Sequence, residues 1–493
     1  GSLAMLKHDP SASTTYGKET KAVPKRISQE TFDEAVRENI EDLEMEPEEA
    51  LLDATKQFEL AGVDLSNIDK RIPGDDGDGE ADTHPALVAL VRLREETLPR
   101  MADADTATDA AAVAAEIVRD IDAFVVKDAD LRVLLGCNEG VSTLCKLVNR
   151  CKTDAAVLTP TLLLLRRLCT KSDENRDRFA EMGYGPMAVC DCVTAGLERG
   201  DVEVLQHAFL TVGTTCTRHE ANKLAFVSGG ALEAAARTIR GHAACAPLVR
   251  AACIALGALC TPDDFRQPTS KAVEHVRRFH DPDAINGVPL LVLAARAHTE
   301  DATVLGSVCG CVRAMAARDE ICEAFLSEGG LDLLVAALGK LGGEDAAFAS
   351  KAAGALAALA RNDKVKCAVC EGEGADALLK ALTTHGASAA VAEQVLATLG
   401  TCCLRHPMNV ELLADRNAFA MVARAMAAHP SQPRVQKQGC LAVRNMAVRN
   451  PELRPAILGE GVEELVRRAR TEHAAACADA AFAALRDLGC DYH

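Results

Sequence analysis

A small-residue turn followed by an apolar helical stretch recurs eight times along this chain, at Gly140-Val141, Gly183-Tyr184, Gly230-Ala231, Gly287-Val288, Gly330-Leu331, Gly374-Ala375, Asn417-Ala418 and Gly461-Val462. Successive turns lie 43, 47, 57, 43, 44, 43 and 44 residues apart. A period in the low forties leaves room for two or three helices per unit, and such units bury their apolar faces only by stacking on neighbours. Asn417, the one departure from glycine, is the other residue type that tolerates a left-handed helix end. Composition agrees. Of 493 residues 48% are hydrophobic but only 3% aromatic, with no Trp. Leu and Ala favour helix over strand, and a core of small aliphatics requires close helix-on-helix packing. A disordered chain and an all-β sandwich are both excluded.

The sequence between turns separates the two repeat types of this period. His219-Glu220-Ala221-Asn222-Lys223-Leu224-Ala225-Phe226-Val227-Ser228-Gly229-Gly230 runs into Ala231-Leu232-Glu233. Glu174-Asn175-Arg176 and Met408-Asn409-Val410 hold the same place in their repeats. This resembles the armadillo pattern, in which a polar cap opens a short helix that ends at Gly-Gly; Asn is expected here as that cap. The expected fold is all-α: a right-handed armadillo-type superhelical solenoid of about eight repeats over residues 86–493, preceded by an N-terminal helical arm. The interval of 57 marks an insertion of about 13 residues near 261–286, with a basic stretch that includes Arg277 and Arg278. An insertion of this kind is either a binding element or a tolerated surface loop.

Charge is concentrated in the arm. Residues 27–82 carry 19 Asp and Glu against 4 Lys and Arg, whereas the whole chain has a net charge of −18. Residues 1–26 read as a disordered tail. Residues 27–70 read as an acidic amphipathic helical arm. Its first helix is capped by Ser28 and striped by Phe32, Val36, Ile40 and Leu43. Its second has Pro47 in the first turn, beside Glu48 and Glu49; Leu51, Ala54 and Phe58 form its stripe, and Gly62 ends it. Residues 71–85, with Pro73-Gly74-Asp75-Asp76-Gly77-Asp78-Gly79, read as a flexible linker. Gly1-Ser2 reads as a cloning remnant or a processed end.

Lys25-Arg26-Ile27-Ser28-Gln29-Glu30-Thr31-Phe32-Asp33-Glu34-Ala35-Val36-Arg37-Glu38-Asn39 resembles the opening of the armadillo repeat-containing protein six family. Gln57-Phe58-Glu59, Gly62 to Ile68, Val435-Gln436-Lys437-Gln438, Val443-Arg444-Asn445 and Ala484 to Cys490 continue the likeness. The resemblance implies an intracellular, non-catalytic helical-repeat protein, and carries no ligand with it.

Tests for chemistry fail on spacing. Gly372-Glu373-Gly374 is followed by Ala377 where a dinucleotide fingerprint needs its third Gly, and no strand precedes it. His219-Glu220 meets Lys223 where a zinc protease needs its second His. Cys367 and Cys370 have no second pair at zinc-finger spacing, and Cys190/Cys192, Cys309/Cys311 and Cys402/Cys403 sit in apolar helical segments as small hydrophobes. His275 and His280 lie five apart, off a single helix face. No enzyme, cofactor or metal is expected, and a small-molecule substrate is not. Twenty Cys with no visible secretory signal point to a reducing, cytoplasmic setting. The acidic balance argues against nucleic acid, and no uncharged apolar run is long enough for a membrane span.

A binding module remains. In nuclear-import receptors the solenoid groove resembles a ladder of Trp and Asn; here Asn445 matches a rung but Leu441 stands where Trp is expected. Arginine is offered instead, at Arg166, Arg167, Arg313, Arg444 and Arg486, which suits acidic segments or carboxylate-bearing peptides unless these side chains pair within the molecule. The arm is expected to cap the array, to occlude its groove, or to dock a partner through Phe32, Val36, Ile40 and Phe58. Two functions follow as expectations: a protein-binding adaptor or scaffold, and a fixed component of a large assembly such as a ciliary or cytoskeletal complex.

Overall fold

The computed structural model describes residues 27, 29–43, 45–61, 63, 65, 68, 70, 84–181 and 184–491. The expected tail over 1–26, the cap Ser28, the helix end Gly62, the turn residue Gly183 and the linker residues 71–83 lie outside the described residues. The chain divides into two compact units at residue 84.

The first unit is a helical hairpin, Gln29–Glu41 and Pro47–Leu60. Pro47 opens the second helix with Glu48 and Glu49 in its first turn, where the missing N–H costs nothing and the helix dipole favours acid. The apolar stripes of the two helices meet. Phe32, Val36, Ala50 and Ala54 are fully buried, and the rings of Phe32 and Phe58 lie 5.9 Å apart. Asn39 Nδ2 donates to the Ala50 carbonyl at 3.2 Å across the hairpin.

The second unit opens with a helix that starts at Pro85, capped by His84 accepting from the Ala86 N–H at 3.1 Å, and a long helix Ala107–Lys127. Eight three-helix repeats follow, starting at residues 131, 173, 220, 272, 319, 363, 407 and 451. Their third helices are Ala155–Cys169, Val202–Cys216, Ala246–Leu259, Ala302–Met315, Ala346–Leu359, Ala389–Cys403, Pro433–Ala447 and Ala474–Leu488, and each packs on the third helices before and after it. The second helices form the opposite layer and the short first helices sit at the repeat junctions. One apolar core of Leu, Val, Ala and Cys runs the length of the unit. The unit is an armadillo-type α-solenoid.

Local chemistry explains the period. Five third helices are capped by an acid or hydroxyl: Asp154, Asp201, Asp301, Asp345 and Ser388 each accept from a backbone N–H two or three residues on. The turn into the second helix has two small positions, not one. The residue with positive φ is Glu139, Gly230, Asn286, Gly329, Asn417 or Gly461. Gly140, Gly287 and Gly330 stand one residue later, and close packing is their reason: a Cβ on Gly287 would lie 2.2 Å from the Phe279 ring, and one on Gly330 2.6 Å from the Phe325 ring.

Asn175, Asn222 and Asn409 are not the caps that the sequence suggests. Ser172 and His219 cap those short helices, accepting from the N–H of Asn175 and Asn222 at 3.2 Å. The asparagine side chains are fully buried and bind two carbonyls each. One belongs to the end of the preceding third helix: Leu168 at 2.8 Å, Thr215 at 2.9 Å and Cys402 at 3.0 Å. The other belongs to the first helix of the preceding repeat: Arg132 at 2.9 Å, Arg176 at 3.3 Å and Lys366 at 3.4 Å. A second ladder crosses the opposite edge. His298, His385, His429 and His473, each just past a second helix, place Nε2 within 2.6–2.8 Å of the carbonyls of Ala243, Gly342, Gly386 and Pro430, one repeat back.

The extra residues of the fourth repeat fall in two places. The segment entering its short helix Ala272–His280 runs over 260–271, where the other repeats use three residues, and the segment leaving it runs over 281–286 where most use two. The basic stretch is therefore the ordinary first helix, and the insertion flanks it.

Candidate functional site

The free face of the third-helix layer carries the arginines singled out above, and the structure sorts them into two sets. In repeats 7 and 8 they are neutralised. Asp487, 8% exposed, has Oδ2 3.5 Å from Arg444 Nε and Oδ1 2.8 Å from Arg486 Nη2. Asn445 donates to the Gly400 carbonyl at 2.8 Å, so its amide joins repeats 6 and 7 instead of facing a ligand.

Repeats 1 to 5 differ. Arg167 Nε meets Asp122 Oδ1 at 2.6 Å, and burial pushes that carboxyl up in spite of Arg167 and Arg166. Arg166 has no such partner, and its guanidinium is pushed down by burial and then by Arg167 and Arg250. Beside it His207 is also pushed down, by burial first and then by Arg166. Arg166, Arg250, Arg313 and Lys351 form no ion pair among the described residues. They line two cavities in sequence. One of about 550 Å³ is bounded by Arg166, Arg167, Lys171, Gly213, Thr214 and Ile254. The next, of about 330 Å³, is bounded by Arg250, Ile254, Gly257, Gly310, Arg313 and Lys351. Ile254 borders both, so the two adjoin along this face and together form an interrupted trench across five repeats. Glycines on these helices also set the helix spacing: a Cβ on Gly213 would stand 2.7 Å from Ile254 Cγ2.

Sequence reasoning missed Arg250 and Lys351. They occupy the fifth and sixth positions of their third helices, one to two turns before the arginine-bearing positions. Aligning the third helices on the small residue at their fifteenth position (Cys169, Cys216, Cys260, Ala316, Ala360 and Cys403) reveals that register.

Arg277 and Arg278 lie on a first helix, away from this face, and Arg278 Nε donates to Glu233 Oε1 at 2.6 Å. The insertion before that helix is anchored. Arg266 binds Asp264 at 3.0 Å, Asp177 at 3.0 Å and the Arg218 carbonyl at 3.0 Å, spanning repeats 2 to 4. The fully buried Lys223 donates to the Thr261 carbonyl and to Asp263, both at 2.5 Å. Glu220, also buried, accepts from Ser270 and from the Lys271 N–H. Burial alone would raise the Asp264 carboxyl, but hydrogen bonds from Arg266 and the Glu220 amide hold it at about 2. Phe265, between Asp264 and Arg266, points outward at 89% exposure. Of the arm residues, Phe32 and Val36 are enclosed in the hairpin's own core and Ile40 and Phe58 are half-buried against it, so docking through them requires the hairpin to open.

Most of the thiols are buried in the core. Burial pushes Cys192 and Cys309 up to about 12, and Cys403 well above the usual thiol range; Cys402 is raised as far. For Cys402 the largest cause is its hydrogen bond with Cys370. Cys367 Sγ lies 3.1 Å from His406 Nε2, but burial and then Glu371 push this thiol up too, which keeps it protonated. His275 Nδ1 is within 2.9 Å of the Leu259 carbonyl and buried. Among the described residues no group of three or more His, Cys, Asp or Glu could hold a metal ion, and no helix is long and apolar enough to cross a membrane.

Known proteins show the same architecture. A family model described as ARMC6 matches residues 187–493, and one for the Armadillo repeat-containing protein 6 N-terminal domain matches residues 24–84. The Armadillo repeat-containing protein 6 of Homo sapiens is 32% identical over 89% of this chain and 77% of its own length. That of Pongo abelii is 31% identical over 67% of this chain and 64% of its own length. The Drosophila melanogaster homolog is 28% identical over 62% of each. The chain thus spans under two thirds of the length of the Pongo abelii and Drosophila relatives. A crystal structure of an engineered protein superposes with a TM-score of 0.58 at 20% identity, over 82% of this chain and 99% of the other, a likeness of fold alone.

Proposed function

The chain belongs to the armadillo repeat-containing protein six family, and on that premise we propose that it is a non-catalytic protein-interaction scaffold whose trench over repeats 1 to 5 holds an extended acidic segment of a partner protein. The observation that carries this reading is the charge of Arg250, Arg313 and Lys351, none in an ion pair, along neighbouring cavities that begin at Arg166 and Arg167, set against the pairing of Arg444 and Arg486 with Asp487. Guanidinium forks without partners suit carboxylates, and their spacing over several repeats suits an extended chain more than a compact ligand. Sixteen buried free thiols, among them Cys192, Cys309 and Cys403 raised by burial, support the non-catalytic part of the reading and a reducing compartment as its setting.

Cross-linking mass spectrometry on an endogenous pull-down tests it. The wild-type chain is compared with a Arg166→Glu, Arg250→Glu, Arg313→Glu variant and with Arg444→Gln as control. The reading expects acidic partner segments cross-linked to repeats 1 to 5 in the wild type and the control, and their loss in the triple variant. Cross-links that survive the triple reversal would place binding elsewhere.

A further inference from the structure

Gly310 sits in the interior of the helix Ala302–Met315, exposed, with no atom within 4 Å of where its Cβ would stand. Gly257, on the neighbouring third helix, meets only ordinary contacts at 3.7–3.8 Å from Cys311 and Gly310. Packing therefore requires glycine at neither position, yet each costs about 1 kcal/mol of helix stability relative to alanine. Both face the cavity of about 330 Å³ in the middle of the trench. Its remaining walls are mostly apolar: Ile254, Ala258, Gly306 and the buried Cys253, Cys309 and Cys311, with Ser307, whose hydroxyl donates to the Thr303 carbonyl of its own helix at 3.0 Å. Three cations stand around it, Arg250, Arg313 and Lys351, none with a carboxylate partner. Arg313 reaches across Gly354, with Nη1 3.2 Å from the place of its absent Cβ.

A hollow with an apolar floor inside a ring of free positive charge does not match a uniformly acidic chain, whose carboxylates would be desolvated on that floor. We propose that this cavity is an anchor pocket that receives one large aliphatic side chain, leucine-sized, from the acidic partner segment. Arg250 pairs with carboxylates on one side of that residue, and Arg313 and Lys351 with those on the other. This rests on the acidic-segment reading above and adds to it the residue that sets specificity. The absent side chains at 257 and 310 are the space the anchor fills.

The probe is a fluorescein-labelled nine-residue glutamate peptide with a central leucine, beside its counterpart with a central alanine, titrated against the full chain by fluorescence anisotropy. The leucine peptide is expected to bind roughly tenfold tighter, the worth of burying the extra methylene groups in part. Gly310→Leu fills the hollow and is expected to abolish the preference for leucine over alanine. Gly310→Ala, smaller and compatible with the helix, is expected to narrow the preference without abolishing it; circular dichroism checks that both variants fold. Arg313→Glu with Lys351→Glu is expected to weaken both peptides. Equal affinity of the two peptides, with binding still lost on charge reversal, overturns the anchor pocket and leaves the acidic-segment reading standing. No binding of either peptide, or binding indifferent to charge reversal, overturns both.

Discussion

His429 Nε2 lies 2.8 Å from the carbonyl oxygen of Gly386, 43 residues earlier, at the joint between repeats 6 and 7. His429 is 7% exposed and Gly386 half-buried, so water replaces the imidazole at that carbonyl only in part. His429→Ala is expected to cost about 1–3 kcal/mol, the range for a buried partner left unsatisfied. Because each repeat touches only its neighbours, the loss is expected as faster hydrogen exchange in repeats 6 to 8 before any change in repeats 1 to 4. Uniformly faster exchange along the whole unit would contradict the joint assigned to this residue.

Asn222→Ala removes two hydrogen bonds from a fully buried site, to Thr215 and to Arg176 of the preceding repeat. A cap lost at a helix start costs about 1 kcal/mol, whereas two stranded carbonyls cost about 2–4 kcal/mol. Urea unfolding followed by circular dichroism separates the two, and the larger value is expected.

The insertion confers acid sensitivity. Folded Asp264 titrates at about 2, below its ordinary value of 3.8, and Asp177 is also lowered: burial opposes this, but the His219 and Arg266 hydrogen bonds prevail. Both groups therefore contribute stability that is complete above about pH 4 and lost as pH falls toward 2. Arg266→Met is expected to remove much of that dependence and to destabilise the protein at neutral pH by about 1–2 kcal/mol, less than a fully buried pair, because the Arg266 side chain is 38% exposed and water screens it. Unfolding midpoints measured between pH 2 and 6 for both proteins check the sign.

Gly310→Ala is expected to raise stability by about 0.5–1 kcal/mol, since nothing occupies the space and helix propensity improves. Gly287→Ala, with the Phe279 ring 2.2 Å from the new atom, is expected to lower it. Thermal melts of the two variants, run side by side, should move in opposite directions.

Thiol reactivity should follow exposure. Cys137 is exposed and Cys245, Cys367 and Cys490 half-buried, while the other sixteen are buried. Brief alkylation of the native chain at pH 8, read by mass spectrometry, is expected to mark Cys137 first and to leave Cys192, Cys309 and Cys403 unmodified until unfolding.

Much of the architecture is visible in the residues, because helix periodicity and turn chemistry are local. Pro47, the small-residue turns and the 43–44-residue spacing are each seen without tertiary knowledge. The role of Asn175, Asn222 and Asn409 is misread at that level, since an asparagine near a helix start signals a cap equally well whether its side chain turns to its own helix or to a carbonyl 43 residues away. The His298, His385, His429 and His473 ladder escapes notice for the same reason: its partners are backbone atoms, which leave no mark in the sequence.

Residue order is enough to show that helices must stack at this period, and that arginines stand on the last helix of several repeats. Which arginines are free follows from how the repeats pack. Asp487 lies next to Arg486 in the chain and 43 residues from Arg444, yet it holds both, because stacking brings equivalent positions of successive repeats side by side. Arg250, Arg313 and Lys351 have no acid at the corresponding place, and their charge stays open along the trench. Charge compensation depends on distances of a few ångströms between repeats, and residue order alone does not contain them.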